Sequence, residues 1–185
     1  IPRLLGRINY KPKIPTHTPY KVKPPNFSNT PQYAEPPDTS PLLSKKDTND
    51  LQKVNGSLLY YGRAIEHPIL TALNEISAEQ AKPTDKTNQK IEGVLDYMAT
   101  YPESIIRFYA SDMILSVDSD AAYLVLPKAK SRIAGFYYLT DRDSSYYNSP
   151  ILVVCKTLKN VVASAAEAET GGLFLNGQEI VNLRH

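Results

Sequence analysis

Two acidic residues stand where they could hold a metal ion. Asp120 follows an apolar run, and Glu169 lies in the first turns of a segment that opens with the helix-capping pattern Ser164 to Glu167. Carboxylate oxygens are hard ligands of the kind that Mg²⁺ prefers. A carboxylate that pointed from a helix toward a strand acid would be costly to bury alone, and a bound cation would remove that cost.

The residues around Glu169 favour a helix that lies close to a sheet. Its helical face includes small or short side chains: Ala165, Ala166, Gly172 and Asn176. The alternative is that Asp120 is a turn residue and that Glu169 is a helix-start charge favoured by the helix dipole. On spacing alone, the sequence favours this alternative.

The sequence gives little support for other kinds of metal-binding or catalytic site. The histidines (His17, His67 and His185) have no metal-ligand spacing, so a zinc or iron centre is not expected. The single cysteine, Cys155, lies in a strand-like run, which predicts a buried thiol rather than a nucleophile. No glycine-rich phosphate loop and no nucleophile elbow occur.

Residues 1–43 form a proline-rich, basic leader. Ten of the 15 prolines lie in residues 1–41, together with six Lys or Arg and two acids; the whole chain has a net charge of +2, so the remainder carries −2. Such proline density predicts an extended linker over another surface, without regular helix. The interleaved lysines and tyrosines, among them Lys21, Lys23 and Tyr33, could instead lie on nucleic acid.

Residues 44–102 predict a small three-helix unit. Apolar residues recur at helical spacing after Ser44, and His67-Pro68 and Lys82-Pro83 separate the helices. Thr84 is suited to cap the third helix, which should end before Pro102. Gly56 lies inside the first helix at a cost of about 1 kcal/mol relative to Ala. This cost predicts a close helix contact there.

Residues 103–185 predict strands followed by a helix. The hydrophobic period falls to two, and a polar stretch at 141–150 reads as a hairpin loop. The predicted strands are Ile105–Phe108, Ile114–Asp118, Ile133–Leu139 and Ile151–Lys156. The chain as a whole is therefore predicted to be α+β, with an extended leader, a helical unit and a β-β-β-α unit.

Four motifs, in order, resemble those of copia-type retrotransposon Pol polyproteins. Gly56 to Tyr60 (Gly-Ser-Leu-Leu-Tyr) is similar to the signature that opens the helical thumb and connection after the polymerase palm. Ser119-Asp120-Ala121 resembles the Ser-Asp-Ala that opens the ribonuclease H domain, Lys130 to Phe136 resembles its second strand, and Ser164 to Glu169 resembles its Ser-Ser-Thr-Glu-Ala-Glu block. The resemblance covers about residues 55–185 and implies the end of a reverse transcriptase joined to half of a ribonuclease H domain.

The resemblance also implies catalytic and metal-binding roles for particular acidic residues. Asp120 would be the first catalytic aspartate and Glu169 the catalytic glutamate, with Glu167 a weaker candidate. Two Mg²⁺ ions, about 4 Å apart, would be bound by such acids while the RNA strand of an RNA–DNA hybrid is cut. The expected partners are the hybrid and the rest of the Pol polyprotein. Ala122 replaces the second acid of the family's Ser-Asp-Ala-Asp, and the remaining family acids fall beyond His185. We therefore expect no nuclease activity from this chain alone.

Two rival functions stay open: a non-catalytic nucleic-acid-binding remnant, and a decayed, purely structural remnant. No apolar run approaches the roughly 20 residues that span a bilayer, and no signal peptide is recognisable. The sequence thus predicts an intracellular protein with no membrane partner. It starts at Ile1 and stops inside a predicted helix, which indicates a piece of a longer protein.

Overall fold

The computed structural model describes residues 1–20, 38–126, 129–143 and 147–184, in two compact units, 1–104 and 105–185. The described residues form five α-helices and one three-stranded antiparallel sheet, which confirms the α+β class. The middle of the leader, with Lys21, Lys23 and Tyr33, lies outside the described residues. The same holds for residues 144–146 of the predicted loop.

The three predicted helices of the first unit are confirmed. They are α2 (Lys45–Ala64), α3 (Leu70–Glu79) and α4 (Asp85–Thr100), with a 3₁₀ turn at His67–Ile69. The hydroxyl of Ser44 caps α2 by accepting the Asp47 N–H at 3.2 Å. The hydroxyl of Thr84 caps α4 by accepting the Thr87 N–H at 3.3 Å. Side-chain oxygens at these positions satisfy amides that the helix leaves unpaired.

The core of the first unit lies where these three helices meet. Leu58, Leu73, Ile76, Val94 and Met98 are among its fully buried side chains. Each such side chain contributes on the order of 2 kcal/mol on burial. The expectation of a close contact at Gly56 is wrong, because a Cβ added there would meet nothing within 4 Å. The tight position is Gly62, where an added Cβ would lie 3.0 Å from side-chain carbons of Ile69 and Leu70.

The leader contains one helix that the proline pattern did not predict, α1 (Pro2–Arg7). Pro2 occupies the start of this helix, where its missing N–H costs nothing. The next proline is Pro12, so residues 3–11 are free of prolines. Proline density averaged over the whole leader therefore concealed a short helix.

The segment after α1 lies extended along α4. The carboxylate of Asp96 accepts two hydrogen bonds from it, one from the Tyr10 hydroxyl and one from the Lys13 N–H, both at 2.9 Å. The Thr16 N–H donates to the Thr100 hydroxyl at 2.9 Å. Burial and the Asp96 carboxylate raise the pKa of Tyr10. These contacts hold the described end of the leader on the helical unit.

The second unit is a meander covered by one helix. Its elements are β1 (Ile114–Leu126), β2 (Lys130–Thr140), β3 (Pro150–Thr157) and α5 (Ala165–Leu183), and the strand order is β1-β2-β3. The first predicted strand, Ile105–Phe108, is wrong, since no strand forms there. Just after it, the side chain of Asn148 bonds both the N–H and the C=O of Tyr109. The second predicted strand is longer than expected, with 13 residues.

We predict that two glycine substitutions in α2 change the free energy of unfolding differently. Gly56→Ala should raise the free energy of unfolding by about 0.5–1 kcal/mol, because alanine is the better helix former and the site is open. Gly62→Ala should be less stable than Gly56→Ala by about 1 kcal/mol or more, because its methyl group crowds Ile69 and Leu70. Urea denaturation followed by circular dichroism measures both. Equal effects would contradict the packing described for Gly62.

Candidate functional site

Helix α5 packs on one face of β1 and β2. Its buried residues, Ala168, Gly172 and Asn176, recur every four residues and so lie along one side of the helix. A Cβ added at Gly172 would lie 3.4 Å from a methyl group of Ile133 and 3.6 Å from the carbonyl oxygen of Asp120. These are ordinary van der Waals distances, so α5 lies close over β1 and a methyl group at position 172 would be in contact with the sheet.

The prediction of a small helix face against the sheet is confirmed for Gly172 and Asn176. It is wrong for Ala165 and Ala166, which are exposed, while Ala168 is buried in their place. Ala166 lies off the row formed by Ala168, Gly172 and Asn176, whereas Ala165 lies on the same side of the helix but is its first residue and is exposed there.

The amide of Asn176 joins the helix to both strands. Its Nδ2 donates to the Ser119 hydroxyl and to the Ala134 carbonyl oxygen, both at 2.8 Å. Its Oδ1 accepts the hydroxyl of Tyr137 at 2.8 Å. Burial, with a smaller contribution from the charge of Glu179, raises the pKa of Tyr137 to about 12. The phenol therefore stays protonated at neutral pH and remains a donor.

The strand register places the side chain of Asp120 on the face of the sheet away from α5. Asp120 pairs with Ala134, whereas its neighbour Ala121 pairs with Ile133 on the helix-covered face. Successive strand residues point to opposite faces, and paired residues share a face. Asp120 is accordingly exposed on the outer face, which it shares with Asp118.

Glu169 is exposed on α5, one residue after the buried Ala168. Its helix covers the face of the sheet opposite to that of the Asp120 side chain, so the structure does not bring the two carboxylates to one face. Glu167 is engaged at the helix start: its carboxylate accepts the Ala163 N–H at 2.6 Å, and its own N–H donates to the Ser164 hydroxyl at 3.1 Å.

This arrangement does not fit a magnesium centre. Among the described residues, no group of three or more His, Cys, Asp or Glu is placed to hold a metal ion. Asp120 and Glu169 therefore stay predictions as metal ligands, and no chemical step can be derived through a metal from their present positions.

The outer face carries an aromatic cluster that the sequence reasoning missed. Phe136, Tyr138 and Tyr147 have ring centroids 5.2–6.2 Å apart. The hydroxyl of Tyr147 donates to the carboxylate of Asp118, which raises the pKa of Tyr147. Period-two spacing could have placed Asp118 with Asp120 on one face of β1, and Phe136 with Tyr138 on one face of β2, while the register puts both pairs on the same face of the sheet.

A second candidate site lies in the first unit, between α1 and α2. It is a groove of about 480 Å³, and its lining includes Arg3 and Arg7 from α1 and Ser57, Tyr60 and Tyr61 from α2. Both arginines are exposed, and Tyr60 is 80% exposed. Residues 1–9 and 51–64 contain four Lys or Arg and no acid. The groove therefore offers cations and an accessible ring to an anionic ligand.

Comparisons with models of protein families, with curated proteins and with solved structures find no match. Across the part of the chain that the structure describes, no helix combines the length and the apolar character needed to cross a bilayer.

We predict that Asn176→Leu lowers the free energy of unfolding by about 1–3 kcal/mol, because the Ser119 hydroxyl and the Ala134 carbonyl lose the amide donor and the Tyr137 hydroxyl keeps only the main-chain carbonyl at position 176. Asn182→Leu is the matched control, since Asn182 is exposed on the same helix. The control should change stability by no more than about 0.5 kcal/mol. Denaturant titration compares the two, and similar losses would contradict the role given to Asn176.

Proposed function

We propose that this chain is a segment of a copia-type Pol polyprotein whose parent hydrolyses the RNA strand of RNA–DNA hybrids. Support comes from where the resembling motifs fall. Ser119-Asp120-Ala121 lies on β1, Lys130 to Phe136 lies on β2, and Ser164 to Glu169 opens the helix that packs on both strands. Three motifs that are distant in sequence thus belong to directly contacting elements.

We further propose that the chain alone does not cut the hybrid. Two-metal hydrolysis requires several carboxylates around a pair of ions about 4 Å apart. The carboxylate of Asp120 lies on the outer face of the sheet, and Glu169 lies on the helix that covers the other face. With the acids so arranged, Asp120 and Glu169 cannot share an ion. Mg²⁺ stays an expectation for the complete parent enzyme.

The test is a cleavage assay on a labelled RNA–DNA hybrid with Mg²⁺. We expect no cleavage by the unsubstituted chain, and no change with Asp120→Asn or Glu169→Gln. An added active ribonuclease H in a parallel sample shows that the substrate can be cut. Cleavage that both substitutions abolish, while the exposed-acid control Asp143→Asn retains it, would overturn the proposal of inactivity and would assign both acids to catalysis.

The groove between α1 and α2 favours a second function, the binding of nucleic acid without cleavage. Arg3 and Arg7 are four residues apart and so lie on one side of α1. They can neutralise backbone phosphates, while the exposed ring of Tyr60 can stack on a base. No acid is among the residues that line the groove, so none of them opposes the approach of a polyanion.

For this function we expect salt-dependent binding of an RNA–DNA hybrid with a single-stranded end, measured by fluorescence anisotropy. The double substitution Arg3→Gln, Arg7→Gln should reduce the slope of log affinity against log salt by about 1.4, for two phosphate contacts. Tyr60→Ala should weaken binding by roughly tenfold or more through lost stacking.

Lys82→Gln, Lys86→Gln is the matched control, because it removes two exposed cations from the α3–α4 connection and the start of α4, outside the groove lining. It should leave the slope unchanged. An equal effect of the two double substitutions would show diffuse charge attraction instead of a groove. Absence of binding at low salt would favour a purely structural remnant.

A further inference from the structure

The side of α5 turned away from the sheet carries exposed apolar residues. Leu173, Phe174 and Val181 are 63%, 64% and 58% exposed. Gly177 lies between them, and a Cβ added there would meet nothing within 4 Å. Positions 170, 173, 174, 177, 181 and 184 are three or four residues apart and form one stripe, which Glu169 and Ile180 border along one edge. The stripe lies opposite the buried row of Ala168, Gly172 and Asn176.

We propose that this stripe binds the same stripe of a second copy of the chain, with the two α5 helices antiparallel and a two-fold axis at Gly177. In such a pair, residues at equal distances before and after Gly177 meet across the axis. Leu173 then faces Val181 of the second copy, and Phe174 faces its Ile180. The two Gly177 residues meet at the axis, where the absence of side chains lets the helices approach closely.

The charges at the ends of the stripe specify this orientation. Glu169 is eight residues before Gly177, and Arg184 is seven residues after it. In the antiparallel pair they lie at nearly the same height, within about 1.5 Å along the axis. Each copy thus places a carboxylate beside the guanidinium of the other. A parallel pair would set Glu169 against Glu169 and Arg184 against Arg184.

A second copy of the chain is the expected partner, because the stripe on α5 is complementary to itself. The stripe is apolar in the middle, has one acid and one base at opposite ends, and matches itself after a two-fold rotation. One helix from each protomer forms a small interface, so the dimer should be weak. The inference does not depend on the function proposed above.

The first test is sedimentation velocity of the full chain over a wide range of concentrations. We expect a shift from monomer toward dimer as concentration rises. Val181→Glu should weaken the dimer at least about tenfold, because it buries a charge in the interface. Val161→Glu is the matched control, since Val161 is 97% exposed and lies outside α5. The control should leave the equilibrium unchanged.

A charge exchange tests the orientation. Glu169→Arg alone and Arg184→Glu alone should each be monomeric, because like charges then meet at both ends. Mixed in equal amounts they should form a heterodimer, because every end then pairs opposite charges. Circular dichroism at low concentration checks that all variants keep the fold. A chain that is monomeric throughout, a dimer unaffected by Val181→Glu, or a mixture that fails to associate would each overturn the proposal.

Discussion

The buried amide of Asn176 fixes how α5 lies on the sheet and thereby which side chains each face carries. It bonds Ser119 on β1 and Ala134 and Tyr137 on β2, so it ties the helix to one register of the two strands. Since side chains alternate between the faces, a shift of one residue would move every side chain to the other face. The outward position of Asp120 is therefore a property of this register.

Much of the helical structure could be predicted because its signals are local. Ser44, Thr84 and Ser164 each cap the helix that the sequence assigns to them. The strand boundaries were harder to predict. Near Tyr109, for example, the backbone N–H and C=O groups form hydrogen bonds with the side chain of Asn148, which lies far away in sequence, instead of with another strand. Gly56 and Gly62 show the same limit, since only tertiary packing distinguishes the open glycine from the crowded one.

The candidate site could be predicted in its elements but not in its geometry. The sequence correctly indicated that Glu169 lies near the start of a helix, but it placed Asp120 at the end of a strand, whereas β1 continues beyond Asp120 to Leu126. Whether two such acids converge depends on strand register and helix rotation, which no short motif encodes. The same register explains the unforeseen cluster of Phe136, Tyr138 and Tyr147 on the face where Asp118 and Asp120 lie.

The extended segment beside α4 makes the helical unit dependent on its own leader. Asp96 is 5% exposed, and the leader supplies hydrogen bonds to it from the Tyr10 hydroxyl and the Lys13 amide. A proteolytic cut that released the first 17 residues would remove these donors from the Asp96 carboxylate and would expose the side of α4 that the leader covers. A chain clipped in this way should unfold more readily than the intact one, because the hydrogen bonds between the leader and α4 are lost.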